Sequence, residues 1–251
     1  MAFGMGDLVN FGAYSMKKIV SHIPNVLTAS NLFFGVLGIT LALKPEPQLD
    51  HAFYCMIISA VFDFFDGFAA RLLKVASPLG KELDSLADVV TFGVLPGLML
   101  FTLYKQVVIG PEWPAYFAFA VPVFSAFRLA IFNLDETQRE HFKGLATPAN
   151  ALFIGAVVCW IYNAKFEFDY YYIAIPLVSI ILSLLLVSRI PLLALKFKTY
   201  RKKREWIKIS FLVGSVVLAV LLKFAAAVII FPLYFILSFI YFRINEIQSR
   251  N

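Results

Sequence analysis

Apolar residues dominate eight stretches of the chain, and each stretch has about the length that a helix needs to cross a bilayer. Short polar connections containing Pro, Gly or Asn separate the stretches. The runs are too long for the alternating strands of a membrane barrel, so the pattern predicts an all-α polytopic membrane protein with about eight transmembrane helices. The predicted spans are approximately Val26–Leu43, His51–Leu73, Leu86–Leu103, Ala115–Phe132, Thr147–Tyr162, Tyr171–Ser188, Trp206–Leu222 and Ala225–Phe242.

The composition agrees with a membrane protein, because 61% of the 251 residues are hydrophobic and only 15% are charged. A soluble domain is about half apolar and about a quarter charged. The chain has no G-x-x-x-x-G-K-[ST], H-E-x-x-H or G-x-S-x-G motif, which disfavours P-loop, zinc-protease and serine-hydrolase functions. Cys55 and Cys159 both lie in apolar runs, which predicts packing residues and not a disulfide or a zinc site.

Basic residues are distributed unevenly between the two sides that eight spans would define. Lys44, Lys105, Lys165 and Lys223 fall on one side, and the other 18 of the 22 Lys and Arg residues fall on the side of both termini. The positive-inside rule predicts that the second side is cytoplasmic. The run Lys196–Arg204 lies there, either as a topology determinant or as an attractor of anionic lipids.

Four aspartates interrupt the second and third apolar stretches. Asp63 and Asp66 are three residues apart, and Asp84 and Asp88 are four apart, so each pair shares one helix face. The connection between the two spans is short, which makes them antiparallel neighbours and lets all four carboxylates converge at the cytoplasmic edge. A charge at the centre of a membrane helix costs about 2.5–3.5 kcal/mol on insertion scales. The carboxylates therefore require protons or cations.

Divalent cations are favoured partners, since Mg²⁺ is commonly held by a few carboxylates together with substrate phosphates. Gly67 and Ala70 continue the face of the first pair and carry almost no side chain. Arg71 offers a fork for phosphate oxygens, and Ser77 and Gly80 lie in the turn that follows. The alternative is structural: small residues that pack helices, and acids held in ion pairs.

The full pattern from Asp63 to Asp88, D-x2-D-G-x2-A-R-x8-G-x3-D-x3-D, resembles the signature of the CDP-alcohol phosphotransferases. The resemblance covers residues 23–203 and implies a six-helix core there. Outside it, the sequence predicts an N-terminal leader or interfacial segment over 1–22 and two further membrane helices over 204–251. Asn150, in the segment GLATPAN, stands where the family resemblance leads us to expect a small residue, and this difference bears on the choice of acceptor. The flanks similar to the integral-membrane phosphatidylserine synthases of this family are IPNVLTASNLFFGVLGI, LDSLADVVTFGVLPG, FRLAIFN with GLATPAN, and SRIPLLALKFK.

The resemblance also implies roles for matching positions. Asp63, Asp66, Asp84 and Asp88 would bind two divalent ions, Mg²⁺ or Mn²⁺, and Asp88 would also be the catalytic base. The positions implied to contact the CDP-linked lipid are Gly67, Ala70, Arg71 and Ser77, with Asn25 and Thr28 as weaker candidates.

The implied reaction transfers the phosphatidyl group from CDP-diacylglycerol to L-serine in a homodimer of the bacterial cytoplasmic membrane, with membrane lipids as partners and no nucleic acid. Arg128 and Arg189 are candidates for the serine carboxylate, or else arginines that reach for the membrane edge. Another acceptor, such as glycerol phosphate or inositol phosphate, is the alternative, and a cation-coupled transporter is a more distant one. Gly93-x-x-x-Gly97 predicts either a close helix contact or a dimer face.

Overall fold

The computed structural model describes residues 21–134, 142–165, 168–192 and 205–249, and this part of the chain is almost entirely helical. A π-helical segment, Val89–Val94, joins the helices Pro78–Asp88 and Leu95–Val107, and 3-10 helices at Trp113–Phe119 and Lys223–Ala225 precede the helices Ala120–Leu134 and Ala226–Ser249. Two residue pairs, β1 (Phe142–Lys143) and β2 (Pro191–Leu192), form a small antiparallel ladder. The helices are α1 (Ile23–Ala42), α2 (Leu49–Leu72), α3 (Pro78–Asp88), α4 (Leu95–Val107), α5 (Ala120–Leu134), α6 (Thr147–Ala164), α7 (Tyr171–Leu186), α8 (Glu205–Leu222) and α9 (Ala226–Ser249).

The predicted all-α polytopic membrane fold is confirmed, and all eight predicted apolar stretches lie mainly in helices. Helix α7 is apolar but shorter than a full span. Within the described ranges, six helical segments are long and apolar enough to cross a membrane: Ile23–Ala42, Leu49–Leu72, Pro78–Val107, Trp113–Leu134, Thr147–Ala164 and Ile209–Ile240.

The last of these segments is a hairpin and not one straight helix. The backbone of Lys223 has a φ of 49°, and the rings of Phe211 and Tyr234, on either side of it, have centroids 6.1 Å apart. The chain therefore reverses at Lys223, so that α8 and α9 run antiparallel. They correspond to the two separate spans that the sequence predicts beyond residue 204.

The third span begins earlier than the predicted start at Leu86. The Ser77 hydroxyl accepts a hydrogen bond from the Gly80 amide at 3.0 Å, and Pro78 occupies the first turn, so the helix starts at Pro78. The first turns of α3 alternate polar and apolar residues, which is why a search for apolar runs misses them. As a result, Asp84 lies inside a helix and not at its entrance.

Helix α4 passes through the centre of the bundle, where Leu95 and Met99 have no exposed surface. Gly93 and Gly97 let α5 approach closely. A Cβ on Gly93 would lie 3.1 Å from the Ser125 Cβ, and a Cβ on Gly97 would lie 2.9 Å from the Pro122 Cδ. The Gly93-x-x-x-Gly97 pattern therefore forms a helix contact within the chain, which is the first of its two predicted uses.

The end of α6 is fixed to the start of α2. Asn163 Nδ2 donates to Asp50 Oδ1 at 2.7 Å, and the Cys159 thiol donates to the Leu49 carbonyl at 3.4 Å. These contacts make α2 and α6 antiparallel neighbours. Cys55 and Cys159 are both free and buried, as predicted for packing residues.

The α8–α9 hairpin covers one side of the bundle and contacts α6, where the rings of Phe153 and Phe231 stack with centroids 3.8 Å apart. An apolar cavity of about 930 Å³ lies between the hairpin, α2 and α6. Residues 1–20 and the basic run Lys196–Arg204 lie outside the described residues. The division of the chain at residues 23 and 203 stays a prediction.

Candidate active site

The last turns of α2 and the length of α3 bring four carboxylates together. One carboxylate oxygen from each of Asp63, Asp66 and Asp84 lies within 4.8 Å of the other two. Asp88, which is only 7% exposed, is close enough to interact electrostatically with all three. The short turn between α2 and α3 therefore produces the convergence that the sequence predicts.

This cluster can hold a metal ion. Ligands on opposite sides of one octahedral Mg²⁺ are about 4.2 Å apart, since each lies about 2.1 Å from the ion. The three oxygens all lie within 4.8 Å of one another, so they are near enough to share one ion. In addition, Asp84 Oδ1 is buried and has no hydrogen-bond partner among the described residues. The residues therefore fit a hard divalent cation, which would also relieve the repulsion between the carboxylates.

Helix α1 orients two of the carboxylates. The Thr28 hydroxyl donates to Asp66 Oδ2 at 2.6 Å, and Asn31 Nδ2 donates to Asp88 Oδ1 at 3.2 Å. The Thr28 hydroxyl also lies 3.0 Å from the Pro24 carbonyl, but a bond to an ionised carboxylate is the stronger of the two. Partners of this kind fix the orientation of metal ligands.

These contacts alter the sequence interpretation of α1. The family resemblance predicts that Thr28 contacts the CDP-linked lipid, whereas in the structure its hydroxyl bonds the Asp66 carboxylate. Asn31 is a residue that the sequence reasoning missed. The available signal was its position three residues after Thr28, on the same face of an otherwise apolar span.

Asn31 itself is held by two neighbouring segments. Its carbonyl accepts from the Ser59 hydroxyl at 2.9 Å and from the Thr91 hydroxyl at 3.3 Å. Thr91 belongs to the π-helical segment that starts directly after Asp88. Single π turns inside α-helices are frequent at functional sites. Here the π segment places Asp88 and Thr91 against the same residue of α1.

The predicted lipid-contact residues of α2 lie at an open surface. A Cβ on Gly67 would meet no atom within 4 Å, so the space over this residue is free. Arg71 is exposed, and its Nε donates to the Gly67 carbonyl at 2.9 Å. That bond uses one of five N–H donors, so the guanidinium retains donors for a phosphate. Ala70 is half-buried beside them.

The predicted residues in the following turn form a second group. The position of a Cβ on Gly80 is 3.2 Å from both Asn25 Oδ1 and Ser77 Oγ. The start of α1 therefore meets the cap of α3. The structure brings Asn25 and Ser77 together beside the aspartate cluster, at the same end of the bundle.

The two candidate arginines have different surroundings. Arg128 is 9% exposed, donates to the Thr147 hydroxyl at 3.0 Å, and interacts electrostatically with Asp88. Its guanidinium also lies 5.2 Å from the centroid of the Phe132 ring. Arg189 is exposed in the segment between α7 and β2, and no contact between it and the aspartates is found within the described residues.

A family model described as CDP-alcohol phosphatidyltransferase matches residues 21–240. The chain belongs to the CDP-alcohol phosphatidyltransferase family. The match contains the aspartate cluster, α1 and most of the α8–α9 hairpin. It therefore extends beyond the part of the chain on which the motif resemblance rests.

Several curated relatives carry the name CDP-diacylglycerol--serine O-phosphatidyltransferase. The protein of Mycobacterium leprae is 33% identical over 220 residues, which cover 84% of this chain and 68% of the relative. That of Helicobacter pylori strain J99 is 35% identical over 147 residues, or 58% of this chain and 60% of the relative. That of Bacillus subtilis is 35% identical over 132 residues, or 51% of this chain and 71% of the relative.

Proposed function

We propose that this member of the CDP-alcohol phosphatidyltransferase family transfers the phosphatidyl group of CDP-diacylglycerol to the hydroxyl of L-serine, which yields phosphatidylserine and CMP. The observation that carries the proposal is the convergence of Asp63, Asp66, Asp84 and Asp88 at one end of the bundle. The names of the relatives supply the donor and the acceptor.

The four aspartates would hold two divalent ions, Mg²⁺ or Mn²⁺, with Thr28 and Asn31 orienting the carboxylates of Asp66 and Asp88. When bound, the ions supply charge withdrawal from the diphosphate and from the departing CMP. The open space over Gly67 and the exposed fork of Arg71 leave room for that diphosphate beside the carboxylates.

Asp88 is the proposed base. It is the most deeply placed aspartate of α3, and Asn31 fixes its Oδ1. Asp88 accepts the proton of the serine hydroxyl while the serine oxygen attacks the β-phosphorus of the donor. The bond between that phosphorus and the bridging oxygen breaks, and CMP leaves with the electron pair. General bases of this kind contribute about 10²- to 10⁴-fold to a rate.

The nucleotide end of the donor would lie near Asn25 and Ser77, which meet at the start of α1 and α3. Its acyl chains would remain in the bilayer beside the apolar faces of the helices. Serine and CMP would exchange with the cytoplasm, because the aspartates lie at the end of the bundle opposite Lys44, Lys105 and Lys223. A cytoplasmic site in a bacterial membrane, and a homodimer, are parts of this proposal.

Arg128 is the proposed partner of the serine carboxylate. It is buried, it interacts with Asp88, and only one of its donors is used by Thr147. An acceptor whose hydroxyl reaches Asp88 would therefore have a guanidinium close to its other end. Arg189 is the weaker candidate, since its side chain is exposed in the segment that precedes β2.

The test is the dependence of CMP release on the acceptor alcohol. Purified protein in lipid nanodiscs would receive CDP-diacylglycerol, Mg²⁺ or Mn²⁺, and one acceptor at a time. Serine should give CMP and phosphatidylserine, while glycerol phosphate and inositol phosphate should give neither. Turnover with one of the phosphorylated acceptors and not with serine would assign the chain to another branch of the family.

A further inference from the structure

Several buried polar atoms of the bundle interior have no hydrogen-bond partner among the described residues. The atoms without a partner are Nδ2 and Oδ1 of Asn150, the hydroxyl of Ser125 and Oδ1 of Asn31. All three residues are 0% exposed. More than nine in ten buried polar groups in proteins are paired, so each exception requires an explanation. An apolar residue in place of Asn150 or Ser125 would lose no side-chain hydrogen bond to the described residues, and Asn31 would lose only its bond to Asp88.

The orphan atoms lie at one level of the bundle. Gly155 of α6 packs against Met56 of α2, with 3.4 Å between a Cβ on the glycine and the Met56 Cε. Asn150 precedes Gly155 by about 7.5 Å along the helix axis. Because α2 and α6 are antiparallel, the same step along α2 leads from Met56 to Val61, which is about 3 Å along the axis from Ser59. The Ser59 hydroxyl donates to the Asn31 carbonyl at 2.9 Å, so Asn150 and Asn31 share a level.

This level lies directly beneath the aspartates. Ser59 precedes Asp63 by one helical turn, which is about 6 Å. Asn31 connects the two levels, since its Nδ2 donates to Asp88. Ser125 and Thr147 lie one helical turn from Arg128 and Asn150, respectively.

Asn150 does not face the apolar cavity. The α6 residues that line that cavity include Ala149, Leu152 and Ala156, whereas Asn150 shares its face with Thr147 and Ile154. Acyl chains in the cavity therefore cannot be the reason for a carboxamide at this position. The face that carries Asn150 is the one on which Thr147 meets Arg128.

We infer that Asn31 and Asn150 form the floor of the acceptor pocket and that their carboxamide oxygens bind the ammonium group of an amino-acid acceptor. The inference rests on the proposed function, and it names the residues that would select an amino acid over a phosphorylated alcohol. Asn150 is a specificity residue in this scheme, while Asp88 remains the proposed base.

The hydrogen-bonding inventory favours an ammonium group. Asn31 donates its Nδ2 to Asp88, so the carboxamide cannot rotate without losing that bond, and its Oδ1 remains an acceptor. An ammonium brings three donors and no acceptor. A phosphate brings only acceptors, so it would leave the Oδ1 atoms of Asn31 and Asn150 without a donor. The carboxylate of the same amino acid would accept from N–H groups of Arg128 other than the one that bonds Thr147.

The experiment measures CMP release by the full chain in nanodiscs containing CDP-diacylglycerol, for Asn150→Leu, Asn150→Ala and a control, Asn163→Leu. The control removes an asparagine from the opposite end of the same helix, where it contacts Asp50. Leucine has nearly the shape of asparagine, so the first variant tests the polar atoms with little change in packing. Asn150→Ala provides a second test of the same position if Asn150→Leu does not fold.

We expect both Asn150 variants to raise the KM for serine by about tenfold to a hundredfold, with the KM for the donor within about twofold of wild type. Inhibition by L-alanine, which keeps the ammonium and lacks the hydroxyl, should weaken by a similar factor. Inhibition by propanoate, which lacks the ammonium, should not change. Asn150→Leu should also melt no lower than wild type, because it removes orphan polar atoms. Asn163→Leu should keep the wild-type KM for serine.

Three results would overturn the inference. One is an unchanged KM for serine in both Asn150 variants. Another is an equal loss of affinity for propanoate and L-alanine, and the third is a lower melting temperature with weaker donor binding, which would make Asn150 a packing residue. A wild-type protein that releases no CMP with serine would instead refute the proposed function, so the two failures are distinguishable.

Discussion

Acidic residues have different partners at the two ends of the helix bundle. At the end where α2 begins, Asp50 accepts a hydrogen bond from Asn163, and Glu112 forms an ion pair with Lys105 at 3.4 Å. At the other end, four aspartates converge, with Arg128 as the cation that interacts with Asp88. These two acids at the first end have partners within the chain.

The difference indicates that the aspartate end of the bundle depends on cations that the chain itself does not supply. Removing carboxylates from water is costly unless cations compensate them. A sequence optimised only for folding would replace several of the four aspartates by apolar residues. Local violations of folding rules of this kind are expected at functional sites. The aspartate end is therefore the part of the molecule where variants should affect chemistry more than stability.

The largest effect is expected from Asp88→Asn. This variant removes the proposed base, so we expect the rate of CMP release to fall by about 10³-fold or more, while some metal-dependent CDP binding remains. CMP release and CDP binding by calorimetry measure the two quantities. The matched control is Asp50→Asn at the other end of the bundle, where activity should stay within about twofold of wild type. Full activity of Asp88→Asn would refute the assignment of the base.

Asp66→Asn should weaken both turnover and metal-dependent nucleotide binding, because this carboxylate is a proposed metal ligand. Thr28→Val tests the same carboxylate with a smaller change. It removes the 2.6 Å hydrogen bond to Asp66 and keeps the shape of the Thr28 side chain. Loss of such an orienting partner typically costs about 10- to 100-fold in metal affinity or activity. The measurement is the Mn²⁺ concentration for half-maximal CMP release, which should rise for Thr28→Val.

Ser30→Ala provides the control for Thr28→Val. The Ser30 hydroxyl bonds only the Val26 carbonyl of its own helix, at 2.9 Å, among the contacts found in the described chain. Its removal should leave the Mn²⁺ requirement unchanged. An equal rise in both variants would show that the effect belongs to α1 as a whole and not to the Asp66 contact.

Arg128→Lys should raise the KM for serine by about tenfold with little change in the KM for the donor, since lysine cannot reproduce the planar fork of arginine. Arg189→Lys is the comparison variant. The Arg189 side chain is exposed, so this substitution replaces one positive charge by another at the surface. It should change the KM for serine by less than Arg128→Lys does. The reverse order would exchange the roles of the two arginines.

The smallest effect concerns stability away from the aspartates. A Cβ on Gly97 would lie 2.9 Å from Pro122 and 3.1 Å from the Ala118 carbonyl, so Gly97→Ala should lower stability by about 1–3 kcal/mol through overpacking. Gly214→Ala on the hairpin adds a methyl group to open space inside a helix, so it should leave stability unchanged or raise it by up to about 1 kcal/mol. Thermal unfolding in detergent compares the two. Equal melting temperatures would argue against the close α4–α5 contact.

The sequence could predict the helices and the convergence of the aspartates because both depend on local patterns. Apolar length predicts each span, and the spacing of Asp63, Asp66, Asp84 and Asp88 on two helices joined by a short turn predicts their meeting. The start of α3 at Pro78 was missed because its first turns are polar on one face. The cap at Ser77 was the signal that could have located it.

The contacts of α1 were less predictable, because they depend on how a third helix is rotated. Asn31 is one polar residue in an apolar span, and only the packed structure gives it Asp88, Ser59 and Thr91 as neighbours. The same holds for Asn150, which the sequence marks only as a departure from the expected small residue. Tertiary packing, and not periodicity, supplies this information.

The four aspartates are proposed to act by holding divalent cations on a lipid-linked diphosphate. The most direct measurement is serine-dependent CMP release after exhaustive chelation, followed by stepwise addition of Mg²⁺ or Mn²⁺. The account predicts no release from the chelated protein and recovery on addition of the metal, with recovery impaired in Asp66→Asn. Undiminished release from the fully chelated wild-type protein would contradict it.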